Sequence, residues 1–205
     1  MRQVYQQRGF RIGAYTTSMT EIIDLTKSWV AIAIAFAILQ HGLKTGFVSA
    51  MIFSAITVGI AFICHELAHK IAAQQYGCFA EFRSFDTMLI LAILMSFVGF
   101  IFFAPGAVMI SGPVGKRRNG IIAAAGPATN FALAIIFLVL LMHVEGIYPA
   151  LTTLLVFGAL INAWLGLFNM IPVWLFDGKK ILAWSKPVYF SMLATGIILL
   201  IFALG

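Results

Sequence analysis

Residues 46–77 read GFVSAMIFSAITVGIAFICHELAHKIAAQQYG, and the rest of the chain is best understood from this stretch. Residues 46–64 are uncharged and apolar, with the length and polarity of a membrane-spanning helix. The motif His65-Glu66-Leu-Ala-His69 follows directly. Because residues four apart lie on one face of a helix, the two imidazoles can bind a single metal ion together.

Glu66 lies about 100° around the helix from His65, where its carboxylate could accept a proton from a water molecule. Two imidazole ligands and a carboxylate base at this spacing are typical of zinc peptidases. A chance match is the alternative, but ionisable groups are costly inside a bilayer and usually mark function there. We therefore predict one Zn²⁺ per chain on this helix.

The composition is typical of a polytopic membrane protein. The 205 residues are 62% hydrophobic and 10% charged, whereas a soluble domain is about half apolar and about a quarter charged. The net charge of +6 comes from short basic loops, which indicates positive-inside topology and not nucleic-acid binding. Cys64 and Cys78 form no disulfide framework, and Cys64 is expected to be a small buried apolar residue. We expect an integral multi-pass protein of the cell membrane, without a cleavable signal sequence.

The fold class predicted is all-α and polytopic, with short membrane-associated β segments. About six transmembrane helices are expected, namely the motif helix and the runs 22–41, 87–104, 120–142, 148–167 and 188–204. Residues 79–85 alternate as a strand does, and 105–113 indicate a turn, a short strand and a turn. Residues 1–20 are interpreted as a basic cytoplasmic tail. The whole chain, 1–205, is expected to form one membrane-embedded domain with its core in 46–77 and 119–184.

The basic residues predict the orientation of these helices. With Lys70, the cluster at 116–118 and the lysines at 179–180 in the cytoplasm, the chemically interesting helix ends all meet at the cytoplasmic side. If 87–104 spans outward, the residues after it must return in extended form. Such backbone is tolerated at membrane depth only where it is buried in protein or lines a water-filled cavity. This topology therefore predicts a cavity beside the motif.

Catalytic zinc usually takes three protein ligands, so a third ligand must come from elsewhere in the chain. The acids besides Glu66 are Glu21, Asp24, Glu81, Asp86, Glu145 and Asp177. Glu21 and Asp24 precede the apolar heart of the first predicted span, residues 29–39. Glu145 should lie on the opposite side, and Glu81 and Asp86 occupy a strand-like surface segment. Asp177 lies in an apolar stretch before a glycine, although Asp-Gly alone could be a plain turn. We predict Asp177 as the third ligand, with Glu81 or Asp86 next.

The motifs, taken in order, resemble those of the site-2 protease family of intramembrane zinc metalloproteases. They are His65-Glu-Leu-Ala-His69, then Ala125-Gly-Pro-Ala-Thr-Asn130, then Phe168-Asn169-Met-Ile-Pro172 with Phe176-Asp177-Gly178. The resemblance covers about residues 46–77 and 119–184. It implies that His65, His69 and Asp177 hold zinc, that Glu66 is the base, and that Asn169 aids substrate or oxyanion binding. Where the family commonly has Leu-Asp-Gly-Gly, a lysine replaces the second glycine here.

We therefore expect an intramembrane zinc endopeptidase that cleaves within or near transmembrane segments of membrane proteins, that is, regulated intramembrane proteolysis. Its partners would be a transmembrane protein substrate and the lipid bilayer. Asn169 and Asn130 could hydrogen-bond the oxyanion or the substrate backbone, although a helix–helix hydrogen bond is the alternative role for Asn130. The extended segments could bind a locally unwound substrate by strand addition.

A membrane zinc transporter is the alternative of a different class, because such a helix can line a transport pathway. Transporters often have a repeated architecture with sites near the midplane, and the sequence contains one such motif and no repeat. From Gly46 to His65 the helix rises roughly 29 Å, which puts the metal toward one face of the membrane. An inactive membrane scaffold is disfavoured because the full set of catalytic residue types is present.

Overall fold

The structure is a computed structural model that describes residues 9–101, 105–144 and 147–204. Its helices are α1 (Met19–His41), α2 (Phe47–Ser54), α3 (Ile60–Gln75), α4 (Asp86–Ser96), α5 (Lys116–Val144), α6 (Pro149–Asn169), α7 (Asp177–Trp184) and α8 (Lys186–Leu204). Its strands are β1 (Phe10–Ile12), β2 (Tyr15–Thr17), β3 (Phe79–Ser84) and β4 (Gly106–Ser111).

In the described ranges, five helical stretches are long and apolar enough to cross a membrane. They are α1, the continuous stretch Phe47–Gln75, α5, α6 and α8. The predicted mostly helical fold with short β segments is thus confirmed, and the five candidate spans are consistent with a multi-pass protein, whereas the count of about six is not confirmed. Helix α4 has 11 residues, or about 16 Å of length, which is roughly half the hydrocarbon thickness. It ends at Ser96, and Gly99 turns the chain with a φ of 84°. Residues 102–104 of the predicted run lie outside the described part.

The motif helix contains a widened turn at its centre. Helices α2 and α3 are joined by a π-helical turn, Ala55–Gly59, without a break in the helical path. The indole of Trp29 on α1 donates a hydrogen bond to the Ala55 carbonyl oxygen at 2.8 Å. Gly59 lies so close to the same indole that a side chain there would collide with it. Helix α1 is therefore packed directly against the middle of the motif helix.

Two buried apolar clusters hold the helices together. One joins α5, α6, α7 and α8 around Met170 and Ile181, both completely buried. The other joins α1, the motif helix, β3 and α6, with Phe62 and Phe82 in edge-to-face contact at 5.6 Å between ring centroids. Helix α6 contributes to both clusters. It therefore fixes α3 and α7, which come from distant parts of the sequence, relative to one another.

The predicted strands at 79–85 and 105–113 are found as β3 and β4, which form an antiparallel pair. Phe79 lies opposite Ser111, and Ser84 lies opposite Gly106. Because β3 and β4 are antiparallel neighbours, the chain that leaves β3 through the short helix α4 comes back beside β3. The extended return of the chain therefore needs no full crossing of the membrane.

The N-terminal segment differs from the basic tail predicted for residues 1–20. Strands β1 and β2 form a two-stranded antiparallel hairpin with Gly13 in its turn, at a φ of 62°. Ser18 caps α1, which begins three residues before the predicted start of the first span. The side-chain oxygen of Gln74 on the motif helix accepts a hydrogen bond from the backbone N–H of Thr16 at 2.9 Å. Residues 1–8 lie outside the described part of the chain.

A buried ion pair joins the start of α1 to the motif helix. Glu21 is completely buried and accepts hydrogen bonds from the Lys70 ammonium, the Thr17 hydroxyl at 2.7 Å and the Phe82 backbone N–H at 2.9 Å. Lys70, which the charge argument counted among the basic residues of the cytoplasmic side, is therefore buried and paired within the protein. Its charge is compensated by a carboxylate inside the protein, as burial of an ammonium group requires.

Candidate metal centre

Three of the predicted site residues come together between α3 and α7. The Nε2 atoms of His65 and His69 are 3.1 Å apart. The Oδ2 atom of Asp177 lies 3.4 Å from the first and 3.0 Å from the second. All three side chains are buried, and their donor atoms are close enough for one metal ion to bind them together. Asp177 is thus adjacent to the two histidines although more than a hundred residues separate it from them in sequence.

The local fold of α7 explains how Asp177 reaches this position. Phe176 is extended, with φ −65° and ψ 150°, and Asp177 is the first residue of the helix. A carboxylate is favoured at a helix N-terminus, where the backbone N–H groups carry partial positive charge. Gly178 packs against the Met170 carbonyl so tightly that any side chain would collide with it. The glycine after Asp177 is therefore required by close packing.

The second ring nitrogen of each histidine has an oxygen partner. His69 Nδ1 lies 2.7 Å from the backbone carbonyl oxygen of Ile122, and His65 Nδ1 lies 2.5 Å from the side-chain oxygen of Asn130. Both partners are acceptors, so each Nδ1 must carry the proton. Each Nε2 then presents its lone pair toward Asp177. This arrangement is the usual one for histidine ligands of a metal, because the outer hydrogen bond fixes tautomer and ring orientation.

The spacing of these atoms fits a zinc ion. Ligand bonds of about 2.0–2.1 Å in a tetrahedral arrangement imply separations of about 3.3 Å between donor atoms. The three observed separations are 3.1, 3.0 and 3.4 Å. Two imidazole lone pairs and a carboxylate oxygen would repel each other at such distances unless a cation lay among them. Gly126 of α5 supplies the necessary room, because a Cβ there would lie 2.6 Å from His65 Nε2.

The charge of Asp177 suits a metal ligand. Burial alone would raise the pKa of its carboxyl group, but where the imidazoles of His69 and His65 are protonated, their charge and hydrogen bonds outweigh that effect and hold the pKa below its usual range. Its second oxygen, Oδ1, lies 3.4 Å from the Lys180 ammonium nitrogen. The carboxylate is therefore ionised at neutral pH, as a metal-binding carboxylate must be.

A cavity of about 120 Å³ opens beside the three residues. Glu66 and Asn169, the predicted base and substrate-binding residue, both line it, as do Lys180 and residues 106–108 and 110 of β4. The Asn169 amide nitrogen donates to the Leu165 carbonyl oxygen of its own helix at 3.0 Å. A cavity is thus present beside the motif, although the crossing by residues 87–104 from which it was predicted is not found, and it brings a carboxylate, an amide and an ammonium group to one space.

Asn130 does not line this cavity. Its amide nitrogen donates to the Ala61 carbonyl oxygen at 3.2 Å and to the Asn162 side-chain oxygen at 3.0 Å, while its oxygen faces His65. Of the two roles considered for Asn130, the structure therefore has the helix–helix hydrogen bond and not the contact with a substrate.

The competing acids are occupied elsewhere. Glu81 was expected on the surface, but it is 3% exposed and paired with the Arg83 guanidinium. Asp86 accepts from the Lys27 ammonium at 2.7 Å. Glu145 lies outside the described residues. Within the described part of the chain, Asp177 is the carboxylate that joins His65 and His69 in a possible metal-binding group.

The sequence reasoning missed two groups that contact the histidines or their partners. The Ile122 carbonyl carries no signal in the sequence, because every residue has one. Asn162, by contrast, is an amide within an apolar span, and its polarity could have marked it as a residue in need of a partner. Gly126 was part of a quoted motif, but only the structure gives it the role of leaving room at the histidines.

Fold and site together define a mostly helical protein that has five candidate membrane-spanning helices in its described part and a buried centre made of the histidines of His-Glu-x-x-His and a distant aspartate. No family model matches the chain, and no solved structure is significantly similar to it. It is 42% identical over 174 residues to a protein of Methanocaldococcus jannaschii named "Putative zinc metalloprotease MJ0611", an alignment that covers 84% of this chain and 88% of that one. It is 30% identical over 131 residues to "Zinc metalloprotease MJ0392" of the same organism, covering 62% of this chain and 32% of the relative. The chain belongs to this family of zinc metalloproteases.

Proposed function

We propose that this metalloprotease is an intramembrane endopeptidase of the site-2 protease class, which cleaves membrane proteins within or near their transmembrane segments. The observation that carries the proposal is the convergence of His65, His69 and Asp177 beside Glu66. The two histidines come from a membrane-length helix, and Asp177 comes from the short helix α7, which packs against the bundle. A peptide bond that reaches this centre must therefore come from a segment close to the membrane.

Zinc bound by His65, His69 and Asp177 would act as a Lewis acid that lowers the pKa of a coordinated water and polarises a carbonyl group. Glu66 accepts the proton of the attacking water, as the oxygen of that water forms a bond to the peptide carbon. The C–N bond then breaks, and Glu66 returns the proton to the leaving nitrogen. Its place on the wall of the cavity suits this exchange, because the carboxylate is reachable from the space where a substrate would lie.

Asn169 is the candidate for stabilising the oxyanion or the substrate backbone. It lines the same cavity as Glu66, at the C-terminal end of α6. Its amide nitrogen bonds to the Leu165 carbonyl oxygen at 3.0 Å, a local contact within one helix. Rotation of the side chain exchanges that contact for one with the substrate. An amide donor aimed at developing negative charge is the usual means of stabilising such a transition state.

The strand β4 is the candidate docking edge for the substrate. Gly106, Ala107 and Val108 line the cavity, and β4 has a strand partner, β3, along one edge only among the described residues. A helical substrate must unwind before cleavage, because its own hydrogen bonds shield its carbonyl groups. An unwound segment can recover backbone hydrogen bonds by adding to the free edge of β4.

The proposed setting is the cell membrane, with the centre toward the cytoplasmic side. The basic cluster Lys116–Arg118 begins α5 and is exposed, as expected of residues at a cytoplasmic membrane surface. The N-terminal end of α5 and the C-terminal end of α3 are joined by the short β3–α4–β4 excursion. On this orientation the cavity opens toward the cytoplasm.

The experiment is a comparison of zinc content and cleavage of a reporter transmembrane substrate by the purified protein. Glu66→Gln should retain zinc and lose cleavage, because the amide cannot accept the proton. Asp86→Asn, a change of an exposed carboxylate paired with Lys27, is the control and should leave both unchanged. Robust cleavage by Glu66→Gln would refute the mechanism. Zinc transport by the wild type without any peptidase activity would favour the transporter.

A further inference from the structure

We propose that Asn162 and Asn130 are positioning residues that hold His65 in the tautomer required for metal binding. Both amides are within the membrane-spanning bundle, 1% and 0% exposed respectively. Neither lines the cavity, so neither is placed to touch a substrate. The inference rests on the proposed zinc site, and it gives α6, which supplies none of the three clustered donor atoms, a role in metal affinity.

The orientation of each amide follows from a fixed backbone group. Asn162 donates from Nδ2 to the Gly158 carbonyl oxygen at 2.8 Å, which turns its oxygen toward Asn130. Asn130 donates from Nδ2 to that oxygen at 3.0 Å and to the Ala61 carbonyl oxygen at 3.2 Å. Its own oxygen must then face His65 Nδ1, 2.5 Å away. The chain of hydrogen bonds thus runs from a backbone carbonyl on α6, through two amides, to the imidazole.

The reversed orientation of Asn130 is strongly disfavoured. It would set the Asn130 oxygen against two other acceptors, the Ala61 carbonyl and the Asn162 side chain, and an unpaired buried acceptor is costly. It would also present a donor to His65 Nδ1, so the imidazole proton would move to Nε2. A protonated Nε2 cannot bind a metal ion. Asn162 therefore acts on the metal centre through Asn130, without contact to any proposed ligand.

An ordinary interhelical hydrogen bond would explain the pairing of two buried amides in a membrane protein. That explanation predicts no effect on the imidazole. Two observations favour the positioning role over an ordinary interhelical bond. Asn130 contacts His65, and its oxygen faces the imidazole while its amide nitrogen faces two other acceptors. A test must therefore read the histidine and the metal, and not stability alone.

The test compares three variants of the full-length protein in detergent. Asn162→Leu removes the oxygen that faces Asn130 while roughly preserving volume. Asn162→Asp is the conservative rescue, because a carboxyl group buried there is favoured in its neutral form, whose hydroxyl can donate to the Gly158 carbonyl while its other oxygen accepts from Asn130. Ser54→Ala is the control, because it removes another interhelical hydrogen bond, a partly buried one from the Gln40 side chain at 3.1 Å, about three helical turns before His65. Zinc affinity is measured by competition with a chelator, and the His65 tautomer by nitrogen NMR of labelled histidine in metal-free protein.

Asn162→Leu should weaken zinc binding measurably, by up to the roughly 10- to 100-fold that loss of a ligand's own hydrogen-bond partner costs, because Asn130 loses one of the two acceptors that fix its orientation. It should also increase the share of His65 protonated on Nε2. Asn162→Asp and Ser54→Ala should bind zinc within a few-fold of wild type. Unchanged affinity in Asn162→Leu, equal losses in Asn162→Leu and Ser54→Ala, or no rescue by aspartate would each overturn the inference. If the wild type binds no zinc, the proposed function fails, and the tautomer measurement still decides the role of Asn162.

Discussion

Substitution of Gly126 by alanine should empty the metal centre while the fold is kept. Gly126 lies on α5, facing the two histidines, and a methyl group there would lie 2.6 Å from His65 Nε2 and still closer to His69 Nε2. Ordinary van der Waals contact begins near 3.4 Å, so the imidazole of His65 must move by about 0.8 Å. Metal sites tolerate displacements of only about 0.2 Å in their ligand distances.

The expected size of the effect follows from that comparison. Loss of one outer hydrogen bond to a ligand costs roughly 10- to 100-fold in metal affinity, and displacement of two ligands should exceed it. We expect zinc binding to weaken by more than about 100-fold, equivalent to about 2.7 kcal/mol. The helix itself should not suffer, since alanine is favoured over glycine inside a helix by roughly 0.5–1 kcal/mol. The imidazole rings can relieve the clash by rotating out of the centre.

The assay is zinc stoichiometry of the purified variant, together with its thermal unfolding in the same detergent. Gly115→Ala is the matched control, because nothing lies within 4 Å of a side-chain carbon added there. It should bind one zinc per chain and unfold as the wild type does. If Gly126→Ala protein binds zinc as tightly as the control, the donor atoms do not face α5 at this position. The geometric argument for the centre would then be wrong.

Three further outcomes are expected. Asp177→Asn should weaken zinc binding markedly as well as stop cleavage, because a neutral amide no longer offsets the double charge of the ion. Zinc binding as tight as that of the wild type would show that Asp177 is not a ligand. Lys70→Met should lower the free energy of unfolding by about 3–5 kcal/mol, because the Glu21 carboxylate is left buried without its cation. In the same unfolding experiments, replacement of both residues should cost less than the sum of the two single changes. Single cysteines at positions 116 and 143 should be labelled from opposite sides of the membrane, the first from the cytoplasm, since α5 is about 44 Å long. Labelling of both from one side would contradict the topology.

Local features of the sequence predicted much of the architecture. The spans at α1, the motif helix, α5, α6 and α8 were found because the length and polarity of an apolar run depend only on consecutive residues. The strands β3 and β4 followed from alternation and from turn residues for the same reason. The adjacency of His65 and His69 is likewise a property of a single helix, in which residues four apart share a face. These predictions needed no knowledge of how helices pack.

Helix α4 shows where hydropathy alone is insufficient. The run 87–104 is apolar throughout, yet the helix stops at Ser96 and a turn follows at Gly99. An average over apolar residues reports that a segment can lie in lipid, but not where the chain reverses. The N-terminal hairpin was missed for a related reason, because its strands are only three residues long and depend on contacts with the motif helix.

The chemistry of the centre was decided only by tertiary structure. The sequence supplied Asp177 as a candidate by elimination, but its place beside His69 depends on α6 and α7 packing against α3 and α5. The Ile122 carbonyl and the Gly126 gap are backbone features of α5 that carry no side-chain signal. The amide pair that reaches His65 joins residues 32 apart in sequence on two different helices. Periodicity within one helix specifies which face is apolar, whereas the identity of the facing helix, and so the identity of each partner atom, is set by the packing of the whole bundle.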